Sequence, residues 1–220
     1  MIKAFTIAAL VVALAAGAFA STITFDNLDL IHIPNGAPST TSGPATEYPS
    51  TVTVSGFVGV TAFVSLSLGD LSHTHLGDIQ MILADPTGQT LEIMDRVGGS
   101  IDVFACNLIF SDTGAAGFGS SQPACGGNYL PGNGDNSSLP GPAPGGPYGT
   151  AFSVFNGFNP NGTWSLYIND AADGDYGELH AWSVTITDDP PQVPEPTTFG
   201  LVGLGLAGVS FFAGKRQAAR

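Results

Sequence analysis

An alternation of apolar and polar side chains, recurring from residue 22 to residue 186, constrains this chain more than any other feature. In the stretch STVTVSGFVGVTAFVSLSLG, residues 50–69, the apolar places fall at Val52 and Val54, Val58 and Val60, then Val64, Leu66 and Leu68. Successive side chains of a strand point to opposite faces, so this pattern suits half-buried strands, and no 3.6-residue helical period runs through it. Thr22 to Phe25, Ile79 to Leu83, Thr90 to Met94, Ile101 to Phe110 and Ala151 to Phe155 read the same way, and Asp85-Pro86-Thr87-Gly88 is a turn sequence between two of them. Residues 162–186 repeat the pattern twice, with Trp164, Leu166 and Ile168 on one arm and Trp182, Val184 and Ile186 on the other. Eight or nine strands and no amphipathic helix predict an all-β, antiparallel, jelly-roll-like sandwich over residues 50–187. Residues 162–186 are expected to be its closing hairpin.

Two regions depart from the pattern. Residues 21–49 hold one short strand followed by a Pro-, Ser-, Thr- and Gly-rich stretch expected to be loop. Residues 111–149 contain 11 glycines and 6 prolines, which leaves few apolar side chains for a core and predicts an insertion ordered only if a crosslink pins it. Cys106 and Cys125 are the chain's two cysteines, and a disulfide between them supplies that crosslink in an exported protein.

Both ends look like trafficking segments. Residues 1–20 carry Lys3, an uncharged run from Ala4 to Phe19, and the small-x-small triplet Ala18-Phe19-Ala20, which predicts a secretory signal cleaved between Ala20 and Ser21. After a linker at 188–196 comes an uncharged run from residue 197 to 214, then Lys215, Arg216 and Arg220. Eighteen helical residues span about 27 Å, close to the hydrocarbon thickness of a bilayer, so residues 197–220 are expected to form a transmembrane helix with a basic tail on the cytoplasmic side. The order Pro194-Glu195-Pro196, apolar glycine-rich segment, basic tail resembles the PEP-CTERM sorting signal of Gram-negative bacteria. That resemblance implies an exosortase-type enzyme as processing partner and a destination in the envelope, at the cell surface or in the extracellular matrix, with the membrane contacted at least transiently.

Charge excludes some partners. All 18 acidic residues lie between Asp26 and Glu195, whereas Arg96 is the one Lys or Arg between the two terminal segments. A surface this acidic repels nucleic acid and attracts divalent cations.

The acidic side chains concentrate in the loop between the two tryptophan-bearing arms, at Asp170, Asp173, Asp175 and Glu178. Such a glycine-containing loop is either a solvated turn or a hard-cation site. Calcium is the cofactor its oxygens suit, with Asp78 reaching the same place from a facing strand and Asp170, Asp173 and Asp175 as the other ligands. The spacing is not that of an EF-hand. Zinc would need His73 and His75 plus a further ligand, with only His32 and His180 left as imidazoles. Glycosidase carboxylates face each other across a cleft instead of clustering on one turn. No G-x-S-x-G elbow is present, and no catalytic residue is assigned.

A second resemblance rests on landmarks in order. They are His73-Thr74-His75-Leu76-Gly77-Asp78, Asp85-Pro86-Thr87-Gly88, Phe158 to Asp170 with Trp164, and Asp175-Tyr176-Gly177-Glu178-Leu179 leading into Trp182. The set is similar to the P domain, or homo B domain, that follows the catalytic domain in kexin-like and bacterial subtilisin-like proteases. It implies a β-sandwich without a triad of its own, and calcium in some members. The expected function is therefore a noncatalytic exported sandwich of the cell surface or extracellular matrix, a structural or adhesive module stabilised by calcium, with extracellular polysaccharide or another exported protein as its expected partner. The alternatives are a protease-associated accessory domain and a carbohydrate-binding module, the latter supported by Phe118, Tyr129 and Tyr148 if they stand exposed on loops.

Overall fold

Each alternating stretch becomes a strand except one. A computed structural model describes residues 19–119, 123–132 and 134–190, and within it Ala20–Pro191 is one compact unit. The strands in this unit are β1 (Thr22–Asn27), β2 (Ile31–Ile33), β3 (Gly43–Pro44), β4 (Ser50–Val54), β5 (Val60–His73), β6 (Ile79–Ala84), β7 (Thr90–Asp95), β8 (Val103–Ser111), β9 (Ala116–Gly117), β10 (Asn128–Leu130), β11 (Gly162–Asp170), β12 (Gly177–Leu179) and β13 (Ala181–Asp189). The leader up to residue 18, the Pro194-Glu195-Pro196 element, Lys215, Arg216 and the expected transmembrane helix lie outside the described residues. Among those described, no helix is long and apolar enough to cross a membrane.

The strands form two sheets. The larger runs β1-β13-β5-β8-β10-β9, with β12 bridging the end of β5 to β2, and the smaller runs β3-β11-β6-β7, with β4 also on β11. Pairing is antiparallel apart from β10, which lies parallel to both β8 and β9. The inward faces meet in a shared core that includes Leu66, Leu68, Val184 and Ile186 from the larger sheet and Met81, Leu83, Leu166 and Ile168 from the smaller.

The expected closing hairpin does not exist. β11 pairs with β3, β4 and β6, whereas β13 pairs with β1 and β5. The two arms therefore belong to opposite sheets, and the acidic loop crosses the sandwich between them. Each arm buries its tryptophan in the shared core, where the Trp164 indole donates to Pro160 O at 2.9 Å and the Trp182 indole to Ser50 Oγ at 2.9 Å. Period-two alternation reports which face is buried; it does not report which sheet the strand joins.

The exceptional segment is Ala151 to Phe155, where Phe152–Phe155 forms a 3-10 turn in place of a strand. The Asp112 carboxylate accepts the amides of Phe152 and Ser153 at 2.6 and 2.8 Å, satisfying N–H groups that a single helical turn leaves open. Phe155 then meets Trp164 edge-on at 4.9 Å between ring centres.

The Gly- and Pro-rich insertion is better ordered than its composition suggests. Cys106 and Cys125 are disulfide-bonded. Phe118 packs between Phe110 and Tyr129, with centroids at 5.9 and 4.9 Å. Leu139 and Tyr148 cover the outer face of the smaller sheet and make a second apolar cluster with Ile82, Ala84 and Tyr167. The Tyr148 hydroxyl donates to Pro144 O at 2.8 Å and accepts the Leu139 amide at 3.1 Å, so the buried ring leaves no polar atom unpaired. A few aromatic side chains suffice because they bury 150–250 Å² each. Phe118 and Tyr148 are thus buried and Tyr129 is packed on the core, which removes the exposed aromatics that the carbohydrate-binding alternative needed.

Candidate functional site

The crossing of the acidic loop brings three segments together at one end of the sandwich. β5 ends at His73, the chain turns through Thr74 and His75 into a 3-10 turn at Leu76–Asp78, and the loop from β11 returns at residues 171–176. The loop is tied down by backbone and side chain alike. Ala171 N donates to Asp78 O at 2.8 Å, Thr74 N donates to Tyr176 O at 3.1 Å, and the Thr74 hydroxyl donates to Asp175 Oδ1 at 2.9 Å. Gly177 permits the close return, since a Cβ there would stand 2.0 Å from Ser72 O.

Within this frame the expected ligands separate into three environments. Asp170 points inward, its Oδ2 3.2 Å from His73 Nε2, with neither side chain exposed. His73 Nδ1 faces the next turn, within hydrogen-bond distance of both the amide and the carbonyl of His75. Asp173 is exposed and accepts a short hydrogen bond from the Ser42 hydroxyl. Asp78 and Asp175 converge on His75, whose Nδ1 lies 3.4 Å from Asp78 Oδ2 and 3.4 Å from Asp175 Oδ2. One ligand atom each from His75, Asp78 and Asp175 falls within 4.8 Å of the others. Burial holds the Asp78 carboxyl above the usual carboxylate range; His75 opposes the rise, and Asp170 and Asp175 add to it.

Of the four carboxylates expected as ligands, Asp78 and Asp175 come together beside His75, while Asp170 lies on His73 and Asp173 beside Ser42. The two histidines that a zinc site would need are split as well, because His73 is buried on Asp170 while His75 faces the cluster. His32 and His180 lie elsewhere, on β2 and beside Glu178, whose Oε1 is 3.0 Å from His180 Nε2. Two residues escaped the sequence reading. Thr74 carried a usable signal, a hydroxyl between two histidines at a strand end. Ser42 carried none, since its place beside Asp173 depends on β3 pairing with the end of β11.

The donor set is mixed. Two carboxylates and an imidazole nitrogen form three of the ligands a borderline cation such as zinc takes, whereas calcium takes six to eight oxygens. His75 is about one-third exposed.

Comparison with known proteins gives two family matches. Residues 146–186, which contain β11, the acidic loop, β12 and most of β13, match the proprotein convertase P-domain. Residues 192–217 match the PEP-CTERM protein-sorting motif, which marks an exported protein of the Gram-negative envelope handled by an exosortase. The His75 and Asp78 half of the cluster precedes the P-domain match. Among solved structures, the serine protease of Aeromonas sobria is similar over 77% of this chain and 27% of its own length, at 16% identity and a TM-score of 0.38. The complex of that protease with its chaperone ORF2 gives 76%, 27%, 16% and 0.35. The matched stretch is thus about a quarter of those chains. No curated protein matches the sequence.

Proposed function

We propose that this chain is a noncatalytic module of the cell surface or extracellular matrix, delivered by exosortase-linked sorting, held at the membrane through residues 197–220 during delivery, and steadied by calcium between Asp78 and Asp175. The observation that carries the noncatalytic reading is the environment of His73. A nucleophile needs a base with one ring nitrogen free to take its proton. Nε2 of His73 is on Asp170, Nδ1 is against His75, and the residue is 1% exposed, so this buried histidine–aspartate pair has no face toward a substrate. Calcium is supported by the convergence of two carboxylates in a strongly acidic exported chain, where a millimolar ion fills weak sites.

A second reading, an accessory role beside a separate protease, is favoured by the P-domain match. Thermal melting after EGTA treatment, followed by calcium or zinc, tests the cation assignment: calcium is expected to raise the melting temperature, and no shift overturns it. A shift with zinc alone would assign the site to the imidazole-containing set. Hydrolysis of casein or polysaccharide that disappears in Asp175→Ala at unchanged melting temperature would overturn the noncatalytic reading.

A further inference from the structure

The leader cleavage expected between Ala20 and Ser21 has a structural counterpart at the opposite end of the sandwich. Ser21 immediately precedes β1, whose register on β13 pairs Thr22 with Thr187. This places Ser21 beside Asp188. Ser21 N donates to Asp188 Oδ1 at 2.7 Å, the Ser21 hydroxyl donates to the same oxygen at 3.0 Å, and Asp188 N returns a bond to Ser21 O at 3.0 Å. The other carboxylate oxygen accepts Gly59 N at 3.0 Å. Asp188 is buried, and the loop that covers it depends on a glycine, since a Cβ at Gly59 would stand 2.2 Å from Asp189 O.

Among the described residues no cation pairs with this carboxylate. Among the described residues the single arginine, Arg96, is committed to Asp95 and Asp135. His73, His75 and His180 are committed to Asp170, to Asp78 and Asp175, and to Glu178, and His32 lies on β2, whose partner strand is β12. The adjoining charged group on β13, Asp189, is itself an acid. A buried carboxylate satisfied only by neutral donors is an unusual choice, because burial of an ion normally demands a partner of opposite charge.

We propose that removal of the leader supplies this partner: cleavage after Ala20 converts the Ser21 amide nitrogen into an α-ammonium group already positioned on Asp188, and the resulting ion pair locks β1 onto β13. The proposal rests on the export reading above. Hydrolysis of the Ala20–Ser21 peptide bond consumes one water, which leaves a carboxylate on Ala20 and a protonated amine on Ser21. No rearrangement is required. Ala20 is exposed, and the 2.7 Å contact already has the length of a charge-assisted bond. The lock sits a few residues ahead of the sorting motif that begins at residue 192.

The test uses the exported full chain purified from the envelope. Intact-mass and N-terminal sequencing must find Ser21 first; another N-terminus overturns both the cleavage reading and the proposal. With Lys3 removed, Ser21 and Lys215 carry the only amines of the mature chain, so acetic anhydride labelling followed by peptide mapping reads the α-amine directly. The Ser21 amine is expected to label at least about tenfold more slowly in the folded protein than in urea, as a 1.4 kcal/mol protection requires. Asp188→Asn is expected to abolish the difference. Equal labelling rates in folded wild-type protein and urea, with Ser21 as the N-terminus, would overturn the ion pair and leave the cleavage reading intact. Because Asp188→Asn also weakens the neutral bonds, a second variant keeps Asp188 and leaves two extra residues ahead of Ser21. It is expected to melt about 3–6 °C lower than the mature chain, and an unchanged melting temperature would overturn the proposal.

Discussion

His73 Nε2 stands 3.2 Å from Asp170 Oδ2 with both side chains fully buried, and the two residues are the last of β5 and β11, which belong to different sheets. The contact is a polar clasp between the layers of the sandwich, at the root of the loop that carries Asp175.

Breaking that clasp from one side strands a polar group in the core. Asp170→Ala is expected to cost about 3–5 kcal/mol, the range for removing one partner of a buried pair. Replacing both residues, as His73→Leu with Asp170→Leu, is expected to recover part of the loss, because no unpaired donor or acceptor remains. Urea melts of the two variants check this. A single variant within 1 kcal/mol of wild type would show that the clasp contributes little.

Exposed Asp173 provides the contrast. Among the described residues its hydrogen-bond partner is the Ser42 hydroxyl, so Asp173→Ala is expected to change stability by less than about 1 kcal/mol and to leave any calcium-dependent shift intact. Asp175→Asn is expected to abolish that shift. Calorimetric melts with and without calcium separate the two residues that the sequence could not.

The insertion's stability should divide between its crosslink and its aromatic side chains. Replacing Cys106 and Cys125 together by serine releases a loop of 19 residues and is expected to cost about 3 kcal/mol. Tyr148→Ala empties the outer cluster on the smaller sheet and is expected to cost a further, separately measurable ~3 kcal/mol. Hydrogen exchange should then show the first change concentrated near β9 and β10, and the second near residues 134–149.

Glu92 and Asp95 lie on the same strand beneath that insertion and shift in opposite directions. For Glu92 burial dominates and raises its carboxyl above the ordinary range, despite the amide of Gly134 donating to it. For Asp95 burial also raises, but donors from Ser137 and Gln80 together with Arg96 outweigh it, and the net direction is down. The depressed Asp95 therefore contributes stability that is fully present above its unfolded value of about 3.9 and is lost as pH falls through its folded value. The raised Glu92 does the reverse, weakening the fold as pH climbs from about 4.3 through its folded value. Urea midpoints between about pH 2.5 and 7 are expected to fall less steeply on the acid side in Asp95→Asn, and to decline less toward neutrality in Glu92→Gln.

Much of the architecture was readable because strand alternation is local. The pattern placed β1, β4 to β8, β11 and β13 without any knowledge of their partners, and the cysteine count placed the disulfide. The short apolar run at Ala151 to Phe155 misled for the same reason: five residues carry no period long enough to distinguish a strand from a 3-10 turn, and the deciding Asp112 lies 40 residues away. The site was half readable. Its residue types were visible, but their grouping into Asp170 with His73, Asp173 with Ser42, and Asp78 and Asp175 with His75 was not.

By itself, then, the sequence determined the class of fold, the disulfide and the C-terminal sorting motif, each of which depends on neighbours in the chain or on composition. Only the tertiary structure decided that the two tryptophan-bearing arms lie in opposite sheets, that the insertion packs its aromatic side chains on the sandwich, and that Ser21 meets Asp188 across a separation of 167 residues. Those outcomes depend on which strands pair and in what register. Hydrogen bonding and burial across the whole sandwich set that register, and a period of two is silent about it.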